Sequence, residues 1–309
     1  MKSTILKWLL AFAAVCLFSG SVLADSLTLG IENDVFLHDD SDYSHGTQII
    51  YKHDSPNAKY FDAWGIDLLQ DMYTPDNISS TEIQYGDRPY CGLLLASWFG
   101  DTLIPAKYGD LNLRNEFGIG STGPNSFAQD SQKVVHSIIG SRKPKGWDHQ
   151  IAQEFIVQYQ GYADFNTLIV NTDYFKMYNI LRGAALVGTY KDMLSLGLDL
   201  KFGLNPKENI GSNIAFSAPR GKKMDKFSLS LLVGAEGRFV IWDTSLDGTL
   251  FRDCEYTVDS EKLVGELHTG ASLGIGPVNV DFLVIFRTRE YKSQDESPDY
   301  ARLAVTFDF

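Results

Sequence analysis

A small set of polar residues in this sequence has side chains suited to hydrolysis. Asn33 and Asp34 follow a short strand-like segment, Ser44 comes ten residues later, and His136 stands in a long polar stretch. A neutral imidazole can take a proton from water, so His136 is a candidate general base. Amide and carboxylate oxygens suit calcium, which makes Asn33 and Asp34 candidate metal ligands. With calcium and polar donors stabilising an oxyanion, these residue types could hydrolyse an ester.

Other catalytic signatures are absent from the sequence. There is no Gly-x-Ser-x-Gly elbow. There is also no His-Glu-x-x-His and no paired Cys-x-x-Cys, so a zinc site is not indicated. Asn, Asp and Gly are also ordinary turn residues, and a histidine in a loop is often merely solvated. The candidate residues therefore gain weight only if the fold brings them to one place.

The N-terminus has the pattern of an export signal. Lys2 and Lys7 precede an apolar run over residues 8–18, and Val22-Leu23-Ala24 is a plausible cleavage site. A membrane anchor is the alternative, but the run is short. We therefore predict a cleaved signal peptide at 1–24 and a single mature domain at 25–309.

Period-two alternation dominates the mature chain. In residues 227–240, apolar side chains alternate with Ser, Gly, Glu236 and Arg238, and residues 278–287 and 302–309 show the same pattern. Charges on one face and apolar side chains on the other fit a barrel with lipid outside, whereas a soluble β-sandwich is the alternative. The segment ending at Phe309 is similar to the terminal strand of bacterial outer-membrane proteins.

The fold class predicted from this pattern is all-β, a twelve-stranded antiparallel transmembrane β-barrel. An even strand number places both termini on the periplasmic side, and the long connections 34–45, 72–89 and 120–152 outside. One connection fits badly, because 204–225 would be a long periplasmic one. The predicted strands are 26–33, 46–53, 61–71, 90–100, 109–119, 153–166, 173–186, 193–203, 226–240, 262–275, 278–290 and 299–309.

Composition excludes several other classes of protein. The 309 residues carry 27 basic and 39 acidic side chains, a net charge of −12, which argues against a nucleic-acid partner. Beyond the N-terminus no apolar run reaches the ~18–20 residues of a spanning helix. Cys91 and Cys254 remain after the signal, and the exported compartment permits a disulfide, but two cysteines alone do not show that they pair.

Several motifs, in order along nearly the whole mature chain, resemble the LpxR-type lipid A deacylases of Gram-negative outer membranes. They are Glu32-Asn33-Asp34, Asp42-Tyr43-Ser44-His45-Gly46, Tyr73-Thr74-Pro75, Asp87-Arg88-Pro89-Tyr90-Cys91-Gly92, His136-x-x-x-Gly140 with Pro144-x-Gly146-Trp147, Leu246-Asp247-Gly248 and Arg287-Thr288-Arg289-Glu290-Tyr291.

The resemblance implies an outer-membrane barrel that hydrolyses the 3′-linked acyloxyacyl ester of lipid A with calcium as cofactor. It implies that His136 is the base, that Asn33 and Asp34 form the calcium and oxyanion site, and that Ser44 orients substrate or metal-bound groups. Lipopolysaccharide is then the substrate, and we expect a monomer.

Two positions depart from some members of that family. Ser80 stands near a lysine of those members, and Arg142 stands where they have an acidic residue. Asp76, Glu82, Lys143 and Lys145 are possible substitutes. The basic residues Arg142, Lys143 and Lys145 have the further alternative of facing lipid A phosphates.

Two rival functions remain open at this stage. An outer-membrane phospholipase needs a serine beside a histidine, but Ser44 and His45 are adjacent on an extended strand and would face opposite sides. A channel or adhesin needs no catalytic residues, and a channel needs an open lumen. Ion pairs among Glu236, Arg238, Asp281 and Arg287 would fill that lumen and argue against a channel.

Overall fold

The computed structural model describes residues 25–33, 42–55, 59–140, 142–206, 227–295 and 298–309. The predicted signal peptide and Asp34 lie outside these ranges, and so do the side chains at 42–44. Among the helices in these ranges, none is long and apolar enough to cross a membrane.

Twelve strands close into one antiparallel barrel, in which β1 pairs with β12 and the other pairs join consecutive strands. This confirms the predicted fold class. Every predicted strand is present, and several extend further than expected, as β4 does to Ala106 instead of residue 100. The strands are β1 Asp25–Asn33, β2 Asp42–Asp54, β3 Ala63–Thr74, β4 Cys91–Ala106, β5 Gly109–Thr122, β6 Phe155–Asn171, β7 Phe175–Gly188, β8 Lys191–Leu204, β9 Ser228–Asp243, β10 Leu263–Ile275, β11 Val278–Arg287 and β12 Tyr300–Asp308.

The two alternating faces predicted for the strands form the inner and outer surfaces of the barrel wall. On β9, Ser228 and Ser230 are buried inside, while Leu229 and Leu231 are exposed on the outside. β11 and β12 alternate in the same way. The exposed outer face is apolar because it meets hydrocarbon, where an apolar side chain carries no desolvation penalty.

Ion pairs fill the inside of the barrel. Arg238 lies 2.7 Å from both Glu236 and Glu266, and Arg287 Nη2 lies 3.0 Å from Glu266. Buried charges of this kind are stable only when they are paired. A cavity of about 170 Å³ is left between these side chains, which argues against an open channel. Further contacts inside the barrel are Arg114–Asp101, Arg182–Asp199 and Asn279–Asp281.

The two ends of the barrel carry different connections. At the end that holds the termini, β4–β5 and β10–β11 are joined by two-residue turns, and β8 ends and β9 begins at this same end. Most of the predicted 204–225 connection lies outside the described residues. The opposite end has the longer connections 75–90, 123–154, 244–262 and 288–299, an arrangement typical of the extracellular side. We call it the outer end. Its connections contain helices α1 (Ala128–Ile139) and α2 (Thr244–Asp247) and 3-10 turns at Gly123–Ser126 and Trp147–His149.

Candidate active site

The 123–154 connection, expected to be a loop, contains the helix that carries His136. The 3-10 turn before α1 ends at Phe127, whose left-handed φ of 58° redirects the chain into the helix. Ala128 and Gln132 are buried and His136 is partly exposed, whereas Val134 is exposed. Because residues four apart share a helix face, His136 continues the face that packs against the protein.

Helix α1 lies on the outside of the barrel wall. Met72 of β3 is on the outward face, since Asp71 and Tyr73 line the internal cavity, yet it is only 2% exposed and packs with Ala128. On β4, a Cβ at Gly92 would lie 2.2 Å from Ser126 Oγ, so only glycine allows the start of α1 to approach this closely. His136 is therefore held at the outer end, on the membrane side of the wall.

A buried tryptophan in the segment that follows α1 also holds the helix in place. Trp147 donates its indole N–H to Gln132 Oε1 at 2.7 Å, and its ring packs 5.0 Å from that of Tyr90. Burial raises the pKa of Tyr90 to about 12, so its hydroxyl stays protonated and donates to the Ile78 carbonyl. Gly146 is required beside this ring, because a Cβ there would lie 2.6 Å from it. The Pro144-x-Gly146-Trp147 motif thus positions the helix.

The backbone after α1 orients the His136 ring. Gly140, with φ of 78°, ends the helix in a left-handed conformation and donates to the His136 carbonyl at 2.9 Å. The Arg142 carbonyl forms a short hydrogen bond with His136 Nδ1. A carbonyl only accepts, so Nδ1 carries the proton and Nε2 of the neutral ring is left as an acceptor. This bond uses the backbone at 142, so the departure to arginine there does not affect it.

Asn33 shares the outward face of the wall with α1. It is the last residue of β1 and follows Glu32, which pairs with Gly46. Antiparallel register therefore brings Asn33 next to His45, and His45 pairs with Met72 beneath α1. For Ser44 the structure describes only the backbone in β2, which lies within a register irregularity between Asp42 and His45. Asn33, His45 and α1 thus follow one another along the outer end of β1, β2 and β3.

The side chains at this edge provide some of the oxygen ligands that calcium takes. Asn33 contributes an amide oxygen, and Asp34, which follows it, lies outside the described residues. Glu32 is turned inward and pairs with Arg302, so its carboxylate belongs to the interior. Over the residues that the structure describes, no group of three or more His, Cys, Asp or Glu side chains is arranged to hold a metal. Oxygen donors such as Asn33 and Asp34, together with backbone carbonyls, are nonetheless the type that calcium takes.

Sequence reasoning named His45 only beside Ser44 and gave it no role at the site, and it did not name Gln132. His45 Nε2 lies 2.6 Å from Thr47 Oγ1, two residues along the same outward face. Gln132 is four residues before His136, and this spacing was the available signal for the helix. Ser80 lies near Gly146 and forms turn bonds with Glu82, while Lys143 and Lys145 are exposed.

Several of the other motifs build a plug across the outer end instead of a reactive site. Arg88 is 1% exposed, stacks 4.2 Å from the Tyr73 ring and reaches Glu290 at 3.5 Å. Glu290 also pairs with Arg287 at 2.7 Å. Burial alone would raise the pKa of Glu290, but the two guanidinium groups outweigh it and lower the pKa to about 2.

Further hydrogen bonds join the plug to neighbouring connections. Tyr291 donates to Asp87 at 3.1 Å, and Asp247 accepts from both the backbone N–H and the hydroxyl of Ser260. Cys91 and Cys254 are free thiols, although Cys254 packs against the apolar cluster that contains Cys91. The plug therefore holds the outer connections together beside the internal cavity.

Comparison with known proteins places this barrel in a family. The family model described as outer membrane protein LpxR matches residues 6–309. The solved structure of LpxR from Salmonella typhimurium has a TM-score of 0.77 at 23% identity, covering 92% of this chain and 100% of that chain. The beta domain of the Bordetella autotransporter BrkA gives a TM-score of 0.49 at 9% identity, covering 93% of this chain and 98% of the other.

No curated protein matches the sequence. The likeness to the Salmonella structure shows the barrel fold, and the family match, which spans nearly the whole chain, shows an outer-membrane protein. The chain belongs to the LpxR family of outer membrane proteins.

Proposed function

We propose that this chain is a lipid A deacylase that hydrolyses the ester of the 3′-linked acyloxyacyl group. Membership of the LpxR family over residues 6–309 carries the proposal. The outward position of α1 supports it, because a lipid ester approaches a barrel from the surrounding membrane. We expect the protein to act as a monomer on lipopolysaccharide.

In this proposal His136 is the general base. The hydrogen bond from Nδ1 to the Arg142 carbonyl supports the role, since it leaves Nε2 able to accept a proton. His136 takes that proton from a water whose oxygen bonds to the ester carbonyl carbon. The carbon–oxygen bond to the sugar then breaks, the acyl group leaves as a carboxylic acid, and the sugar oxygen receives a proton.

Asn33 and Asp34 are the proposed calcium ligands and oxyanion site. When bound, calcium would supply positive charge to stabilise the oxyanion. Asn33 also has an amide N–H₂ group that can donate to such an oxygen. Ser44 is proposed to orient the substrate through its hydroxyl. The position of Asn33 on the same outward edge as α1 supports this assignment.

One observation favours a second candidate, a phospholipase-type esterase. His45 Nε2 and Thr47 Oγ1 are 2.6 Å apart on the outward face, a pairing that resembles a base beside a nucleophilic hydroxyl. Thr47→Val removes that hydroxyl with little change in shape. The deacylase proposal expects this variant to keep its activity, whereas the esterase alternative expects loss.

Mass spectrometry of lipid A tests the proposed reaction. Outer membranes from cells with and without the chain are incubated with calcium and then with a chelator. The expected result is a calcium-dependent loss of the acyloxyacyl mass. An unchanged lipid A spectrum, from membranes in which the barrel is folded, would refute the deacylase proposal.

His136→Ala tests the base, and His149→Ala is its matched control. Both histidines belong to the same outer connection, but His149 is paired with Glu255 at 2.8 Å, an interaction that raises its pKa. We expect His136→Ala to lower the rate at least about 100-fold, the usual lower bound for general base catalysis. Equal rates in the two variants would remove His136 from the mechanism.

A further inference from the structure

A second feature of the outer wall lies away from α1. An apolar depression of about 730 Å³ opens on the outward side of β8, β9 and β10 near the outer end, with the start of the 288–299 connection at its edge. Helix α1 packs against β3 and β4, so the two features occupy different sectors of the barrel. The volume is in the range of sites that bind one small molecule.

The strand register explains why the wall is hollow here. Gly237 pairs with Leu196 on one side and Gly265 on the other. Both glycines face outward, since Glu236 and Glu266 beside them line the internal cavity. A Cβ at Gly237 would meet nothing within 4 Å, so the space is open. The next outward row towards the outer end consists of large exposed apolar side chains, Leu194, Phe239 and Leu263.

The upper edge of the depression is polar and contains an available cation. β11 ends early, and Thr288 folds over Gly265, exchanging two hydrogen bonds of 2.9 Å with its backbone. Arg289 follows and is exposed at the edge, with no acidic partner within ion-pair distance among the described side chains. Glu261 lines the same edge, and Lys262 donates to the Ile241 carbonyl and to Ser260.

We propose that this depression binds one acyl chain of a phosphorylated membrane lipid, with the lipid phosphate on Arg289. The apolar hollow faces hydrocarbon, and the guanidinium stands where a lipid headgroup would begin. A planar guanidinium matches phosphate oxygens with two parallel hydrogen bonds. The site is independent of the proposed hydrolysis, because it shares no residue with His136, Asn33, Asp34 or Ser44.

Photolabelling of the full chain in vesicles tests this site. The vesicles are phosphatidylcholine with a small fraction of phosphatidic acid that carries a photoreactive diazirine on one acyl chain. Labelled peptides are mapped by mass spectrometry, and the same probe without the phosphate, a diacylglycerol, is run beside it. We expect label concentrated on 194–196, 237–239 and 263–265 with phosphatidic acid, and about tenfold less with the diacylglycerol.

Two pairs of variants separate the site from general contact with lipid. Gly237→Leu fills the hollow, whereas Ala235→Leu adds the same side chain to the next outward position on β9. Arg289→Gln removes the cation, whereas Arg252→Gln removes an exposed charge elsewhere on the outer end. We expect about tenfold less label in Gly237→Leu and Arg289→Gln, and unchanged label in both controls. Migration of the unheated barrel on a detergent gel checks that each variant is folded.

Three results would overturn the proposal. The first is even labelling around the barrel, and the second is equal labelling in Gly237→Leu and Ala235→Leu. The third is a crosslink between two chains when a photoreactive amino acid replaces Phe239, which would assign the hollow to a second copy of the chain.

Discussion

The hydrogen bond between Trp147 and Gln132 should control how firmly His136 is held. Trp147→Phe keeps most of the ring packing against Tyr90 but removes the indole N–H that Gln132 Oε1 accepts at 2.7 Å. Gln132 is 4% exposed, so the oxygen is left buried without this donor. Such a loss costs about 1–3 kcal/mol. At about 1.4 kcal/mol per factor of ten, the opening equilibrium of α1 should rise about 5- to 140-fold.

Hydrogen–deuterium exchange on peptides that cover α1 measures this opening in detergent micelles. We expect Trp147→Phe to accelerate exchange in α1 by that factor while the strands of the barrel keep their protection. The proposed deacylation should slow as well, because His136 lies one turn beyond Gln132. Trp98→Phe is the matched control, since Trp98 is 40% exposed on the lipid-facing wall.

A double substitution distinguishes the hydrogen bond from lost packing. Trp147→Phe with Gln132→Leu removes donor and acceptor together, and this leaves neither polar group unsatisfied. We therefore expect the double variant to exchange more slowly than either single variant, which a double-mutant cycle reports as a coupling energy. Exchange in Trp147→Phe that matches the wild type, or effects of the two substitutions that simply add, would refute this reasoning.

Three other perturbations test the plug and the seat of α1. Gly92→Ala places a Cβ 2.2 Å from Ser126 Oγ and should displace the start of α1. We expect the protein to lose about 1–3 kcal/mol of stability and the start of α1 to exchange its amide hydrogens faster. Unchanged hydrogen exchange would contradict the close approach. Arg88→Met removes the buried cation and should lower the free energy of unfolding by about 2 kcal/mol or more, measured by urea titration in micelles. An unchanged urea midpoint would argue against the stacking of Arg88 on Tyr73. The pKa of Glu290 falls from 4.5 to about 2, so its ion pairs with Arg287 and Arg88 should contribute fully above about pH 4.5 and be lost as the pH falls towards 2. The shift corresponds to a loss of about 3–4 kcal/mol at about 1.4 kcal/mol per unit. Glu290→Gln should abolish this part of the pH dependence of stability.

The barrel could be predicted from sequence because its two faces meet different solvents. Lipid outside and paired charges inside force an alternation at every second residue, and the pattern around Glu236 and Arg238 is enough to place β9. The end of β1 at Asn33 was predictable for the same reason. The strand ends were predicted less accurately, since the hydrogen bonding between several strands continues beyond the alternating segment.

Helix α1 could not be predicted in the same way. Its contacts are with residues distant in sequence, such as Met72 and Tyr90, and its flanks are rich in Gly, Pro and Lys. The burial of Arg88 could not be predicted either, because Asp87-Arg88-Pro89 has the composition of an exposed turn. The buried guanidinium is stabilised by Glu290 and Tyr73, which are distant in sequence. What local sequence cannot report is which remote side chains will satisfy a buried polar group.

Because α1 lies on the outside of the wall, a membrane lipid would meet His136 by diffusion in two dimensions instead of three. A molecule that reaches His136 from within the leaflet arrives by lateral diffusion, so the relevant concentration is the mole fraction of that lipid in the membrane plane and not its amount per volume. Under the proposed function, diluting the leaflet with an inert lipid should slow turnover even when bulk amounts are constant. Under the proposed function no substrate has to pass through the interior, which can therefore be packed with ion pairs while the outward face meets the lipid.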